Sequence, residues 1–150
     1  MIKKFFATDK SFAETILRVM LGVVMFPHGA QKLLGWFGGR GFEATVQGMS
    51  ANFHIPEFLV ILVILTESAG AVALVLGFFT RLAALAIAVD MACAIALVHL
   101  DVGFFMNWSG KGAGEGYEYH LLMIAMGLAL MIKGGGLWSV DGAIAKKMKG

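Results

Sequence analysis

A single cysteine, Cys93, occurs in 150 residues. An intrachain disulfide is excluded, and so is CxxC dithiol chemistry. Cys93 lies in an apolar run, where a thiol is expected to be a small buried hydrophobe. Charge is also scarce: Asp, Glu, Lys and Arg make up 15% of the chain, against about 25% in soluble domains. The formal net charge of +2 is too small to point to nucleic acid. The basic residues gather at the ends of apolar segments rather than along one face. GxGxxG at a strand–helix turn, a cysteine cluster and CxxCH are all missing. No metal or haem is therefore expected, and electrons would have to come from a partner.

Apolar surface is what the chain has in excess. Hydrophobic residues make up 59% and the mean hydropathy is +0.80. These values place it among integral membrane proteins, as a single domain over residues 1–150.

A helix needs about 20 residues to cross the hydrocarbon core. Four runs qualify: about Phe12–Leu34, Ile55–Phe79, Leu82–Leu100 and Tyr117–Ile132. The last is short and would lean on its neighbours or lie where the bilayer thins. Ser11-Phe12-Ala13-Glu14 fits a capping box opening the first span, and Pro56 suits the first turn of the second. Phe79-Thr80-Arg81 reads as a tight turn. The first run is too long for a signal-peptide core and no A-x-A site follows it, so it is expected to stay as an anchor.

Lys and Arg placement sets direction. Lys3, Lys4, Lys10, Arg81, Lys133, Lys146, Lys147 and Lys149 fall on one side, and Lys32, Arg40 and Lys111 on the other. Both termini are thus expected in the cytoplasm, in a multi-pass protein of the cytoplasmic membrane. Phe42, Val46, Met49 and Phe53 form a helical stripe behind Trp36 and Phe37. It suits an outer interfacial helix or a packing face against the other helices. Leu137–Lys149 reads as a short amphipathic tail drawn to anionic lipid. Gly22 and Gly29, and the Ala69/Ala73 pair, favour close helix contact.

Glu67 lies near the middle of the second span. A carboxylate there costs roughly 2.5–3.5 kcal/mol and marks a functional-site hypothesis. Arg18 sits about 9 Å into the first helix, at 1.5 Å per residue. It would pair with Glu67 or Asp90, either as a buried ion pair fixing register or as the charge partner of a proton-relay carboxylate. Asp90 could instead be a protonated carboxyl bonded to a backbone carbonyl. His28, His99 and His120 fall toward the outer ends of three different spans, with Gln31 and Glu118 at the same level. Imidazoles there can hydrogen-bond a quinone carbonyl, suit several metals, or simply sit partly wet. Phe104-Phe105-Met106-Asn107-Trp108 is either an interface belt or the mouth of a ligand cleft.

Taken together, these segments resemble the DoxX family of small bacterial membrane proteins. The resemblance runs through Leu17-Arg18-Val19-Met20-Leu21-Gly22, His28-Gly29-Ala30-Gln31-Lys32, Gly35-Trp36-Phe37-Gly38-Gly39 and Glu67-Ser68-Ala69-Gly70. It continues through Leu76–Ala84, His99, Gly103–Trp108, Gly114–His120 and Gly134-Gly135-Gly136 to Ser139-Val140-Asp141. It implies a four-helix membrane bundle, similar in outline to quinone-linked membrane proteins, with recurrent polar positions at Arg18, His28, Gln31, Lys32, Glu67, Arg81, His99, Glu118 and Asp141. The related vitamin K epoxide reductase bundle uses paired cysteines, which this chain lacks.

The expected function is a redox-associated membrane protein, a quinone-binding subunit or partner of a membrane or periplasmic oxidoreductase. Glu67 would relay a proton with Arg18 as charge partner. His28, Gln31, His99, His120, Glu118 and Trp108 would line the ligand site. The alternatives are a transport or metal-handling protein, for which four short spans would require a homo-oligomer, and an assembly scaffold.

Overall fold

In the computed structural model the described residues are 2–8, 11–112 and 114–148. Lys10 and Lys149, counted above toward the cytoplasmic side, lie outside them. The described residues are helical or irregular throughout, and no strand occurs among them. After a single helical turn at Ile2–Phe5 come α1 (Phe12–Leu34), α2 (Phe42–Phe53), α3 (Glu57–Leu76), α4 (Thr80–His99), α5 (Glu118–Lys133) and α6 (Val140–Lys147).

Among the described residues, α1, α3 and α4 are long and apolar enough to cross a membrane. Helix α5 has 16 residues, about 24 Å at 1.5 Å per residue, less than the roughly 30 Å hydrocarbon core. Phe12, Ile16, Met20 and Val23 form an exposed stripe on α1, each 50–52% accessible. In water a surface of this kind is a liability; against lipid tails it carries no penalty. This is a membrane protein. Exposed aromatics gather at both ends, Trp36, Phe37, Phe105 and Trp108 at one and Trp138 at the other, as interface belts do.

Helix α1 packs along α3, α4 along α5, and α1 also meets α5. Leu21, Met25, Leu74, Ile87, Met91, Met123 and Leu130 form the shared core. Between lipid-embedded helices the gain comes from close packing rather than from transfer out of water. Close approach is what Gly29 permits: a Cβ there would overlap the Glu67 carbonyl. Ala69 is exposed instead of facing α1, so the contact runs through Gly22, Gly29, Ser68 and Ala71 rather than through the Ala69/Ala73 pair. The reason is rotational phase: Ala71 and Leu74, at zero exposure, face inward. The stripe on α2 divides. Val46 and Met49 pack with Val60 and Ile64 of α3, while Phe42 stays exposed.

The ends of the helices follow local chemistry. Ser11 Oγ accepts from the Ala13 N–H at 3.2 Å. Glu14 Oε2 is buried with no hydrogen-bond partner, so that oxygen does not supply the reciprocal half of the capping box. Gly77, at φ 68°, closes α3 in the left-handed region. The following turn comes earlier than expected, at residues 77–79 instead of 79–81: Thr80 already opens α4. The first N–H groups there, left without helical partners, are capped by Asp141, whose Oδ1 and Oδ2 accept from Phe79 N at 2.9 Å and Thr80 N at 2.8 Å.

Arg18 belongs to this end. Its Nε donates to Gly135 O at 2.7 Å. Nη1 donates to Leu74 O and Val75 O, and Nη2 to Leu137 O and Trp138 O. All five donors are used on carbonyls, three of them in the 134–139 loop, with Asp141 as the electrostatic partner. The expected pairing with Glu67 or Asp90 is therefore corrected. Leu74 and Val75 lie at the last turn of α3, where carbonyls run short of backbone donors, Leu74 O accepting from Gly77 N as well, and these sit closer to Arg18 than any carboxylate of the middle layer.

Candidate functional site

Three irregularities in otherwise regular helices surround one space. On α1, Pro27 stands inside the helix, so Val23 O loses its usual N–H donor; His28 follows immediately. On α3, Thr66–Gly70 form a π turn carrying Glu67. On α4, Ile95–His99 form another, closed by Leu100 N donating to Ile95 O at 2.8 Å. Such wide turns recur at functional sites because they re-aim side chains that a regular helix would place elsewhere.

The space is a cavity of about 550 Å³, within the range of small-molecule sites. Its apolar wall includes Met25, Met49, Phe53, Met91 and Leu97. Its polar wall comprises Glu67, Asp90, Lys32, His28, His99 and His120, with Glu115 and Tyr119. Glu67 and the three histidines, drawn from four helices, thus face a common cavity. Trp108 lines its mouth while remaining exposed.

Lys32 Nζ lies 2.5 Å from Glu67 Oε2. One turn separates His28 from Lys32, so both share a face of α1. Asp90 lies within hydrogen-bonding and electrostatic reach of Glu67 and electrostatic reach of Lys32. Its Oδ2 is buried with no hydrogen-bond partner. His28 is in electrostatic reach of Lys32, Glu67 and His120. The His99 and His120 rings stack obliquely, with centroids 4.1 Å apart at 43°. His99 Nδ1 lies 2.7 Å from Glu115 O. A carbonyl only accepts, so Nδ1 donates and, in the neutral ring, Nε2 is left as an acceptor. His120 Nδ1 is buried and unpartnered. Asp90 and His99 are nine residues apart, roughly 13 Å along α4, so the polar groups form a ladder running lengthwise.

Not every expected residue is here. Arg18 is at the far end of α1. Gln31 Nε2 donates to Phe37 O at 3.2 Å on the surface. Glu118 Oε1 accepts from Met106 N at 2.9 Å and so holds the loop over the cavity rather than lining it. Cys93 is exposed rather than buried; it lines the cavity, on a face of α4 that no neighbouring helix covers. Cys93, Leu97 and Val98 are at once cavity-lining and exposed, so the cavity communicates with the lipid-facing side.

Sequence reasoning passed over Lys32 as the partner of Glu67. The available signal was its i, i+4 spacing from His28 on the same face. It also gave no weight to Pro27, whose place beside His28 was visible. Among the described residues, no group of three or more His, Cys, Asp or Glu side chains is arranged to hold a metal ion.

Comparison with known proteins bears on this geometry. The model of the DoxX family matches residues 13–100. The chain is 29% identical over 124 residues to "Putative oxidoreductase CatD" of Bacillus subtilis (strain 168), covering 81% of this chain and 82% of that protein. It is 31% identical over 136 residues to an uncharacterized protein of Haemophilus influenzae (strain ATCC 51907 / DSM 11121 / KW20 / Rd), covering 87% and 90%. No solved structure matches significantly.

Proposed function

The chain belongs to the DoxX family, and from that premise we propose that it is a quinone-binding subunit or partner of a membrane oxidoreductase. The observation that carries this reading is the cavity: about 550 Å³ of mainly apolar space with Glu67, Lys32, Asp90 and three imidazoles along one wall. Apolar space with a few convergent polar groups is what an amphipathic ring with a lipid tail requires. The opening beside Cys93, Leu97 and Val98 supports entry from the bilayer. The name of the Bacillus relative points the same way.

In this reading α1, α3, α4 and α5 form a four-helix membrane bundle. Helix α5 spans at a locally thinned site. The Arg18–Asp141 end is cytoplasmic with both termini, as the lysine and arginine distribution favours. The bilayer is the cytoplasmic membrane.

A bound quinone supplies the redox-active ring, and electrons reach it from a partner protein. The chain's own residues bind, orient and handle protons. The apolar wall holds the ring and excludes water. Glu67 holds or passes a proton, with Lys32, not Arg18, offsetting its charge. The imidazoles of His28, His120 and His99 continue the ladder toward the loop. Purification of the intact chain in mild detergent, with solvent extraction and absorbance of the extract, tests the reading. Co-purified quinone at near-stoichiometric amounts is expected. Folded, lipid-retaining protein without it speaks against the proposal.

A further inference from the structure

A second space lies between α3 and α4, toward the turn that joins them. It is an apolar groove of about 470 Å³, and Thr66 is the only polar side chain in its wall. Exposed Leu65 and Leu82 form its rims, while Gly70, Ala73, Ala83 and Ala86 give it depth. Phe78 and Phe79 line its inner end, their rings edge to face with centroids 4.4 Å apart. Helical register places this groove in line with the opening of the cavity. Leu82 and Ala86 of the groove and Cys93 of the cavity fall at i, i+4 and i+11 in the regular part of α4, on one face. On α3, Val63 lines the cavity and Thr66, within one turn of it, lines the groove. The side on which the cavity meets lipid, at Cys93, is thus the side on which the groove runs.

Resting on the quinone-site reading above, we propose that the groove is a tail subsite. A ligand whose polar ring occupies the cavity passes its isoprenoid or alkyl chain out beside Cys93 and lays it along α3 and α4 toward Phe78 and Phe79. The ligand class is therefore a long-chain lipid quinone rather than a tail-free ring. Cys93 and Leu82 are eleven residues apart, about 16 Å along α4, which is room for several carbons of such a chain. The groove has nothing to offer a polar ring, whereas the cavity holds carboxylates, Lys32 and imidazoles. The two spaces divide an amphipathic ligand between them. A chain already in lipid gains nothing by leaving water, so what the groove supplies is close van der Waals contact along its length. Small side chains on both helices are what let a chain sink between the leucine rims.

The full-length chain in phosphatidylcholine nanodiscs is titrated with decylubiquinone and with the tail-free dimethoxymethylbenzoquinone of the same ring. Quenching of tryptophan fluorescence follows binding, since Trp108 stands at the cavity mouth. Each probe is compared with itself across variants, so its partition into the bilayer cancels. Ala86→Phe fills the groove at a position outside the cavity wall. It should weaken decylubiquinone about fivefold or more, the cost of overpacking one apolar contact, and leave the tail-free ring unchanged. Ala69→Phe, at an exposed groove position where folding tolerates bulk, should do the same. Leu85→Phe, exposed on α4 outside the groove, should change neither probe. Folded Ala86→Phe and Ala69→Phe proteins that bind both probes as before, or weaken both equally, overturn the tail subsite and leave the cavity reading standing. A groove filled by bulk lipid or by a second copy of the chain gives the first of these results. An equal loss of decylubiquinone in Leu85→Phe also overturns the subsite. Binding of neither probe by the unaltered chain overturns both readings.

Discussion

Lys32 on α1 reaches Glu67 on α3, with Nζ 2.5 Å from Oε2, and this pair is the only salt bridge among the described residues. Their helices touch at Gly29, one turn before Lys32, where the missing Cβ lets the Glu67 backbone come close. The pair therefore joins helix packing to the polar wall of the cavity. Removing one partner of a buried pair costs about 3–5 kcal/mol, because the other charge is stranded, whereas replacing both with apolar residues is often close to neutral. Lys32 keeps 23% side-chain exposure, which moves the cost toward the lower end. Lys32→Met is expected to destabilise by about 3 kcal/mol, and Lys32→Met with Glu67→Leu to recover most of that loss. Detergent melting curves of the single and double variants decide this; additive losses would mean that the pair is not coupled.

Arg18 gives five hydrogen bonds to carbonyls. An ammonium has three donors on a flexible stem and cannot reproduce that fan. Arg18→Lys should lose two of these bonds; because Leu74 O and Leu137 O also accept from Gly77 N and Thr15 Oγ1, the cost is about 0.5–1.5 kcal/mol for each bond lost, with the melting temperature lowered accordingly. Ligand retained per folded molecule should not change, since this cluster lies at the opposite end of α1 from the cavity. A drop in retention at equal folding would return Arg18 to the site.

Gly29→Ala places a methyl group against the Glu67 carbonyl. The expected cost is about 1–3 kcal/mol, as for other overpacked contacts. Because the backbone that must yield carries Glu67, ligand affinity should fall as well. Full stability together with full affinity would show that α1 and α3 do not approach as described.

Cys93 is the sole thiol, exposed and on the cavity wall. N-ethylmaleimide should label it in detergent, and a short-chain quinone or quinol should slow the labelling in proportion to occupancy. Mass spectrometry gives the rate. An unchanged rate at ligand concentrations that saturate binding would place the ligand elsewhere.

Direction in the membrane is accessible by labelling in a Cys93→Ser background. Lys4→Cys and Lys146→Cys should resist an impermeant maleimide added to intact cells, and Lys111→Cys should react. Labelling of the first two from outside would reverse the proposed orientation.

How far the sequence reached is clearest at three places. The extent of α1 and the helical stripe of α2 were legible, since an apolar run with a serine cap, and a stripe of period near 3.6, are local signals. The histidines could be ranked by depth because helix rise is constant. Which cation meets Glu67 was not legible. Arg18 and Lys32 are 14 residues apart on one helix, about 21 Å, and both were plausible until the offset between α1 and α3 was known. The π turns and the Asp141 cap were hidden for a related reason: each depends on a neighbouring segment far away in sequence.

By itself the sequence determined that this protein lives in a bilayer, where its helices run, and which side chains are too polar for that setting. Composition and periodicity suffice for these, because each follows from one residue's cost in hydrocarbon or from the fixed geometry of a single helix. Tertiary structure alone decided that Glu67, Asp90, Lys32 and three imidazoles share a cavity while Arg18 turns away to seal carbonyls at the other end. Convergence depends on the rotation and offset of one helix against another, and those are set by packing between segments that no local pattern encodes.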